Sequence, residues 1–291
     1  MTIKAGIIGF GKMGALHAKG YGNANAEIVG IMDEHAPENT YKIFSSMHEF
    51  LQAVDVVSIC TPSNTHKAIA LKCIAMGKPV LVEKPLAMNT SECEEIIAFA
   101  TQKNVKISVG HIERYNAGFK ALCDNLHMIG NIKSVEAVRT NSSSNRILDV
   151  DVLADLSVHD LDLIRTVCVG GTTLENIAIK DKKINSQLNL IDSVNVSFEL
   201  NNISVNLNTC RVADIAQRCL SVLGDKGTLV ADLASRKTTL NGVEIAVEPL
   251  DQIDAQLQAW ISSVESNTDP VVSMQDGLFA VSASDAIRNA C

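Results

Sequence analysis

The chain has 291 residues, 46% of them apolar and 20% charged, with a net charge of −8. That length suits two ordinary domains, and the composition can fill their cores. The acidic balance, with no long basic run, argues against a nucleic-acid partner, and no stretch approaches the roughly 18 apolar residues of a membrane span. The opening "MTIKAGIIGFGKMG" lacks the apolar core of a secretory leader, so a cytoplasmic location is expected. Eight cysteines (60, 73, 93, 123, 168, 210, 219 and 291) stand apart with no CxxC pair. They read as small buried hydrophobes in a reducing compartment, and without ligand spacing no metal is expected.

From residue 3 to about 111, short apolar runs alternate with helical patterns. The runs are "IKAGIIG" (3–9), "AEIVGIMD" (26–33), "VDVVSICT" (54–61), "PVLVEKP" (79–85) and "VKISVGH" (105–111). They are nearly continuous, as strands covered on both faces should be. Between them lie "KMGALHAKGYG", "SSMHEFLQA", "NTHKAIALKCIAMG" and "TSECEEIIAFATQKN". In the last, Ser91 with Glu94 three residues on marks a helix start. The alternation implies a doubly wound parallel sheet.

The first strand ends in "GFGKMG": Gly9, Phe10, Gly11, Lys12, Met13, Gly14. Gly9 permits the tight turn, Gly11 lets the backbone approach a pyrophosphate, and Gly14 lets the helix pack close to the sheet. The helix start then offers free N–H groups to phosphates. Asp33 follows, 19 positions after Gly14, at the end of the second strand. An acid there bonds the adenosine ribose hydroxyls and repels a 2′-phosphate, so NAD is expected over NADP. "CTPSNTH" places Thr61, Pro62, Asn64 and His66 at another carboxyl end, where such sheets bind ligands. Asn64 or Thr65 also suits the cap of the next helix. In "VEKP" a buried run meets Glu83 and Lys84 on the rim of the expected crevice.

After about residue 115 the rhythm changes. "DSVNVSFEL" alternates Val194, Val196, Phe198 and Leu200 with polar residues, and "NISVNLNTC" repeats this with Ile203, Val205 and Leu207. Asn201-Asn202 between them suits a hairpin turn, so an antiparallel sheet with one apolar face is expected. "GTLVADL" continues it. One helix, roughly 150–168, reads "DVLADLSVHDLDLIRTV". Asp155 and His159 share a face at i, i+4, with Asp162 beside His159 on the surface. A carboxylate beside an imidazole suits a general base. Two ligands at that spacing with no third argue against a metal. Arg114 and Arg146 are candidates for an anionic substrate group, with ion pairing the competing role. The expected division is 1–115, 116–270, and a helix over 271–291 that packs back on the first domain.

Taken in order, "GFGKMG", Asp33, "CTPSNTH", "EKP" and "DLSVHDLD" resemble the glucose-fructose oxidoreductase / inositol dehydrogenase / MocA family across essentially the whole chain. The resemblance implies a Rossmann domain followed by an α+β domain with an open, mostly antiparallel sheet. It implies Lys84, Asp155 and His159 as the catalytic set. "VGHIERYNAGF", which contains Tyr115, and "NRILDVDVLADLSVHDLDLI" look like the branch of UDP-N-acetylglucosamine 3-dehydrogenases. That branch implies a sugar or nucleotide-sugar substrate touching Lys84, Arg114, Tyr115, Arg146, Asp155 and His159. The family also implies a homodimer or homotetramer through the second sheet. A dehydrogenase of a free sugar, polyol or inositol, and a non-catalytic NAD and sugar sensor, remain open alternatives.

Overall fold

The computed structural model describes residues 2–37, 40–142 and 150–291. The chain divides into two units, Met1–Ile112 with Asp251–Leu278, and Glu113–Leu250 with Phe279–Cys291.

Unit one runs β1 (Ile3–Ile8), α1 (Lys12–Asn23), β2 (Ala26–Met32), α2 (Met47–Ala53), β3 (Val56–Ile59), α3 (His66–Ala75), β4 (Val80–Glu83), α4 (Thr90–Lys103) and β5 (Ile107–Gly110). The strands form one parallel sheet in the order β2-β1-β3-β4-β5. Every residue of β3, β4 and β5 is buried, which is why their sequence is continuously apolar. The order reverses at β1, since β2 and β3 lie on its two sides. Open α/β sheets bind ligands at such a reversal, beyond the carboxyl ends of the strands. Ile43 bridges Ile31 outside β2, and Ser273 bridges Ser108 outside β5, so both edges are partly covered.

α4 starts earlier than Ser91 suggests. Asn89 caps it by accepting the Glu92 N–H at 3.0 Å, and Glu92 accepts the Met88 N–H at 3.1 Å. Asn89 and Glu92 offer the reciprocal capping arrangement two residues before the Ser91/Glu94 pair does.

Unit two begins with α5 (Ala117–Asp124), β6 (Ile132–Ser142) and α6 (Val158–Val167). β7 (Glu175–Asn185), β8 (Leu190–Leu200), β9 (Ile203–Ala213), β10 (Gln217–Gly224), β11 (Thr228–Asp232), β12 (Lys237–Leu240) and β13 (Val243–Ile245) follow. The sheet order is β13-β12-β11-β10-β6-β9-β8-β7, antiparallel except for the β6–β9 pair. The expected alternation holds: Val194, Val196, Phe198 and Leu200 are all buried, as are Val205 and Leu207. Asn201 and Asn202 both have positive φ, 53° and 61°, and Leu200 pairs with Ile203, as a two-residue hairpin of type I′ requires.

The last two helices correct the expected division. α7 (Gln252–Glu265) lies within residues assigned to the second domain, yet Leu257, Trp260 and Ile261 sit in the core of unit one with Ile7, Tyr21 and Ile31. α8 (Met274–Ala290) was expected to pack on the first domain, and from Phe279 onward it belongs to unit two. Phe279, Ala283 and Ile287 form one stripe at helical spacing, and they join the apolar core that includes Val194 and Leu207. Among the described residues no helix is long and apolar enough to cross a membrane.

Candidate active site

The glycine loop behaves as its sequence requires. Gly9 has φ +87°, and a Cβ there would lie 2.7 Å from Cys60 C and Thr61 N. A Cβ on Gly14 would collide with the Gly9 carbonyl, so helix and loop are in direct contact. At Gly11, the residue before α1, nothing lies within 4 Å of where a Cβ would be, and the first turn of α1 carries no acidic side chain. Open backbone at a helix N-terminus without a competing anion fits a pyrophosphate. Lys12 and Met13 open α1. Phe10 differs from expectation: its ring is buried, edge-on to Tyr41 at 5.6 Å, so only its backbone faces the loop. Asp33 ties β2 to this loop. Its Oδ2 accepts the Phe10 N–H at 2.5 Å and its Oδ1 accepts the His35 N–H at 2.7 Å. Each oxygen keeps further acceptor capacity, so ribose hydroxyls can still bond there.

Beyond β3, Thr65 Oγ1 lies 2.7 Å from both Thr61 Oγ1 and the Pro62 carbonyl. α3 has no side-chain cap bond, so Thr65 braces the turn and does not cap the helix. Pro62 and Asn64 are exposed and Thr61 is half-buried. His66 is corrected: it is buried, with Nδ1 2.7 Å from the Pro85 carbonyl and Nε2 2.9 Å from the Thr61 carbonyl. Burial lowers its imidazole pKa, while the two backbone carbonyls pull the other way. The ring clamps the ends of β3 and β4 together.

Glu83 and Lys84 are not a solvated pair. Glu83 is only 7% exposed, and its Oε1 accepts a hydrogen bond from His17 Nε2 at 2.9 Å. His17 Nδ1 meets Ser58 Oγ at 3.0 Å, and Ser58 Oγ meets the Tyr21 hydroxyl at 2.7 Å. Burial opposes a charge on Glu83, but His17 and Lys84 hold its carboxyl below the usual value. Burial alone would lower the His17 imidazole, but the Cys60 sulfur and the hydrogen-bonded Glu83 carboxylate raise it above its ordinary value. Burial pushes the Cys60 thiol up, so at neutral pH Glu83 is the anion that faces His17. Glu83 thus bonds inward, to His17 of α1. Lys84 is half-buried, and its N–H lies 3.3 Å from Glu83 Oε2. His17 is a residue that motif reading missed. Its signal was its register: with Gly14 three residues before and Tyr21 four after, it lies on the sheet-facing side of α1, where an ionisable group demands a partner.

In unit two a π-helical turn, Leu153–Ser157, precedes α6. Asp155 lies in that turn and His159 in the first turn of α6; both are half-buried. The expected single α-helix is therefore corrected, because a π turn shifts the facing of residues across it. Asp162, expected on the surface beside His159, is fully buried. It accepts two bonds from Arg114, Nε at 2.7 Å and Nη2 at 2.8 Å. Arg114 is thus a bidentate clamp on α6, the ion-pairing role that competed with a substrate anion. A second clamp joins Arg139 to Asp160 at 2.8 and 3.0 Å and to Glu113 at 3.0 Å. Tyr115 is half-buried, and burial pushes its phenol up. Arg146 lies outside the described residues.

Among the described residues no group of three or more His, Cys, Asp or Glu could hold a metal. A cavity of about 650 Å³, lined by Gly77, Asn104, Lys106, Asn267, Asp269 and Gln275 among others, lies in unit one. It opens where β4 and β5 begin, at the end of the sheet opposite the glycine loop, so it is not the site of the chemistry.

Residues 3–111 match the family model of the GFO_IDH_MocA oxidoreductases, described as an NAD-binding Rossmann fold. A UDP-N-acetylglucosamine 3-dehydrogenase from Acidithiobacillus ferrooxidans is 32% identical over 218 residues, covering 72% of this chain and 67% of its own. The structure of a UDP-N-acetylglucosamine 3-dehydrogenase from the same organism superposes with a TM-score of 0.91 at 24% identity, covering 100% of this chain and 98% of that one. A myo-inositol 2-dehydrogenase from Thermotoga maritima is 23% identical over 314 residues, covering 96% of this chain and 93% of its own.

Proposed function

The chain belongs to the glucose-fructose oxidoreductase / inositol dehydrogenase / MocA family of NAD-binding oxidoreductases that act on CH–OH groups, and from that premise we propose that it oxidises C3 of a UDP-N-acetylhexosamine. The observation that carries the substrate is the 32% identity to a UDP-N-acetylglucosamine 3-dehydrogenase over 72% of this chain. The glycine loop, the start of α1 and Asp33 would hold NAD, which supplies the hydride acceptor. His159 takes the hydroxyl proton as the C–H bond breaks. Lys84 hydrogen-bonds the same oxygen and stabilises its growing negative charge. Asp155 orients His159 or the substrate. The Arg114–Asp162 and Arg139–Asp160 clamps hold α6, and with it His159, in place.

Asp33 sets the cofactor preference in this reading. NAD is expected to bind at least about tenfold tighter than NADP, because a carboxylate repels the 2′-phosphate. Asp33→Ala should narrow that gap in a titration of each cofactor. Equal binding of the two by the unmodified protein would remove this role.

The likeness to a myo-inositol 2-dehydrogenase over 96% of this chain favours a second reading, a free polyol as substrate. A thermal-shift screen with NAD present separates the two. UDP-N-acetylglucosamine should raise the Tm, and glucose or inositol should not. The opposite ranking would leave the polyol reading standing.

A further inference from the structure

We propose that His17 is a positioning residue for the reaction: its protonated ring, buried between α1 and the sheet, keeps Glu83 ionised and so fixes the backbone and charge beside Lys84. The inference rests on the reading of Lys84 as catalytic. The chain of contacts is continuous. His17 Nε2 donates to Glu83 Oε1 at 2.9 Å, and Glu83 Oε2 lies 3.3 Å from the Lys84 N–H. Ser58 Oγ, 3.0 Å from His17 Nδ1 and 2.7 Å from the Tyr21 hydroxyl, anchors the far side of the ring.

Hydrogen-bond geometry alone admits a neutral ring, with Ser58 donating to Nδ1. Charge decides otherwise. His17 is fully buried and Glu83 nearly so. A buried carboxylate without a cation takes up a proton. The groups facing the ring are Tyr21 from its own helix, Ser58 from β3, Cys60 just beyond β3, and Glu83 from β4, with Lys84 next to Glu83. Of these only Glu83 is an anion at neutral pH, since burial keeps the Cys60 thiol neutral. Its direct partner is His17. A buried ion pair adds little stability relative to apolar residues of the same size, so stability alone gives no reason for this one. Its place one residue before Lys84 does.

The first test uses the wild-type protein. Nitrogen-15 NMR of labelled histidine should show both His17 ring nitrogens protonated at pH 8. A neutral ring there would overturn the proposal, whatever the variants do. The second test compares His17→Gln, Glu83→Gln, the double variant and Lys84→Ala. Gln at 17 can still donate one N–H but carries no charge. It should lose on the order of 10–100-fold in kcat, the usual cost of removing an outer partner of a functional group, with KM for NAD unchanged. Its kcat should also fall off at a higher pH on the acid side, because Glu83 then protonates more readily. The double variant should match Glu83→Gln alone, because His17 acts through Glu83. A His17→Gln enzyme with wild-type kcat and pH profile, or additive losses in the double, would overturn the inference. If Lys84→Ala keeps its turnover, the reading of Lys84 fails instead; a dead Lys84→Ala beside a normal His17→Gln sinks this inference alone. Stability gives a further readout. A raised imidazole stabilises the fold fully below its ordinary value and loses that effect as pH rises through its folded value. The Tm gap between wild type and His17→Gln should therefore be fully open at and below the ordinary imidazole value of 6.5 and narrow as pH rises above it. A gap that does not change with pH would count against a charged ring.

Discussion

Lys84→Ala is expected to lose on the order of 10²–10⁴-fold in kcat, the usual size of an acid–base or electrostatic contribution. β4 is buried along its whole length and ends at Glu83, so Lys84, the next residue, lies at the carboxyl end of a strand, at the same end of the parallel sheet as the glycine loop. Its charge matters most in the transition state, where the alkoxide oxygen is forming. Such an interaction shows in kcat more than in cofactor binding. NAD affinity should fall only modestly, because its phosphates rest on the glycine loop. The Tm should change little, since Lys84 is half-buried and lies outside the apolar core of its unit. His159→Ala should give a similar loss. The double variant should be far from additive, because the proposed reaction uses both groups in one step. Steady-state kinetics on the three variants, with melting as the folding control, decides. Near-normal turnover in Lys84→Ala would mean that "VEKP" only ends a strand.

The largest expected effect on stability is at Arg139. Its guanidinium is buried between Asp160 and Glu113, which are also buried. Burial works against its charge, but the two carboxylates raise it further above its already high value. Arg139→Met would leave the buried Asp160 without its hydrogen-bonded cation and Glu113 with Arg218 at 3.9 Å, at a cost of about 3–5 kcal/mol. Replacing Arg139, Asp160 and Glu113 together with apolar residues should recover much of that loss, because a missing pair costs less than a broken one. An exposed pair such as Lys237–Glu244 should matter by less than about 1 kcal/mol. Denaturant unfolding of the variants checks the ranking. Arg139→Met as mild as Lys237→Met would show that the clamp is not what holds α6.

What was legible in the sequence follows from how each feature is encoded. The β8–β9 hairpin was readable because alternation and an Asn-Asn turn are local signals. The glycine loop was readable because its GxGxxG spacing after a strand is a local signal; the contact that fixes Gly14 lies within that strand–turn–helix, while the one that fixes Gly9 comes from Cys60 and Thr61 beyond β3. Features made by distant pairs were not. Spacing along the chain gives no hint that His17 meets Glu83, that Arg139 meets Asp160, or that Arg114 meets Asp162. A regular helix from 150 puts Asp162 on the surface beside His159. The π turn at Leu153–Ser157 breaks that register, and no residue type announces it. The stripe of α8 was visible in its spacing, but its partner was not, because an apolar stripe fits any apolar face. Glu83 was read as a rim charge since its partner lies 66 positions away.

The central claim is the oxidation of a nucleotide sugar at the expense of NAD. The most direct measurement is NADH absorbance in mixtures of the protein and NAD with UDP-N-acetylglucosamine, and separately with inositol. The account predicts NADH formation with the nucleotide sugar and none above background with inositol. NADH formed from inositol and not from the nucleotide sugar would contradict it.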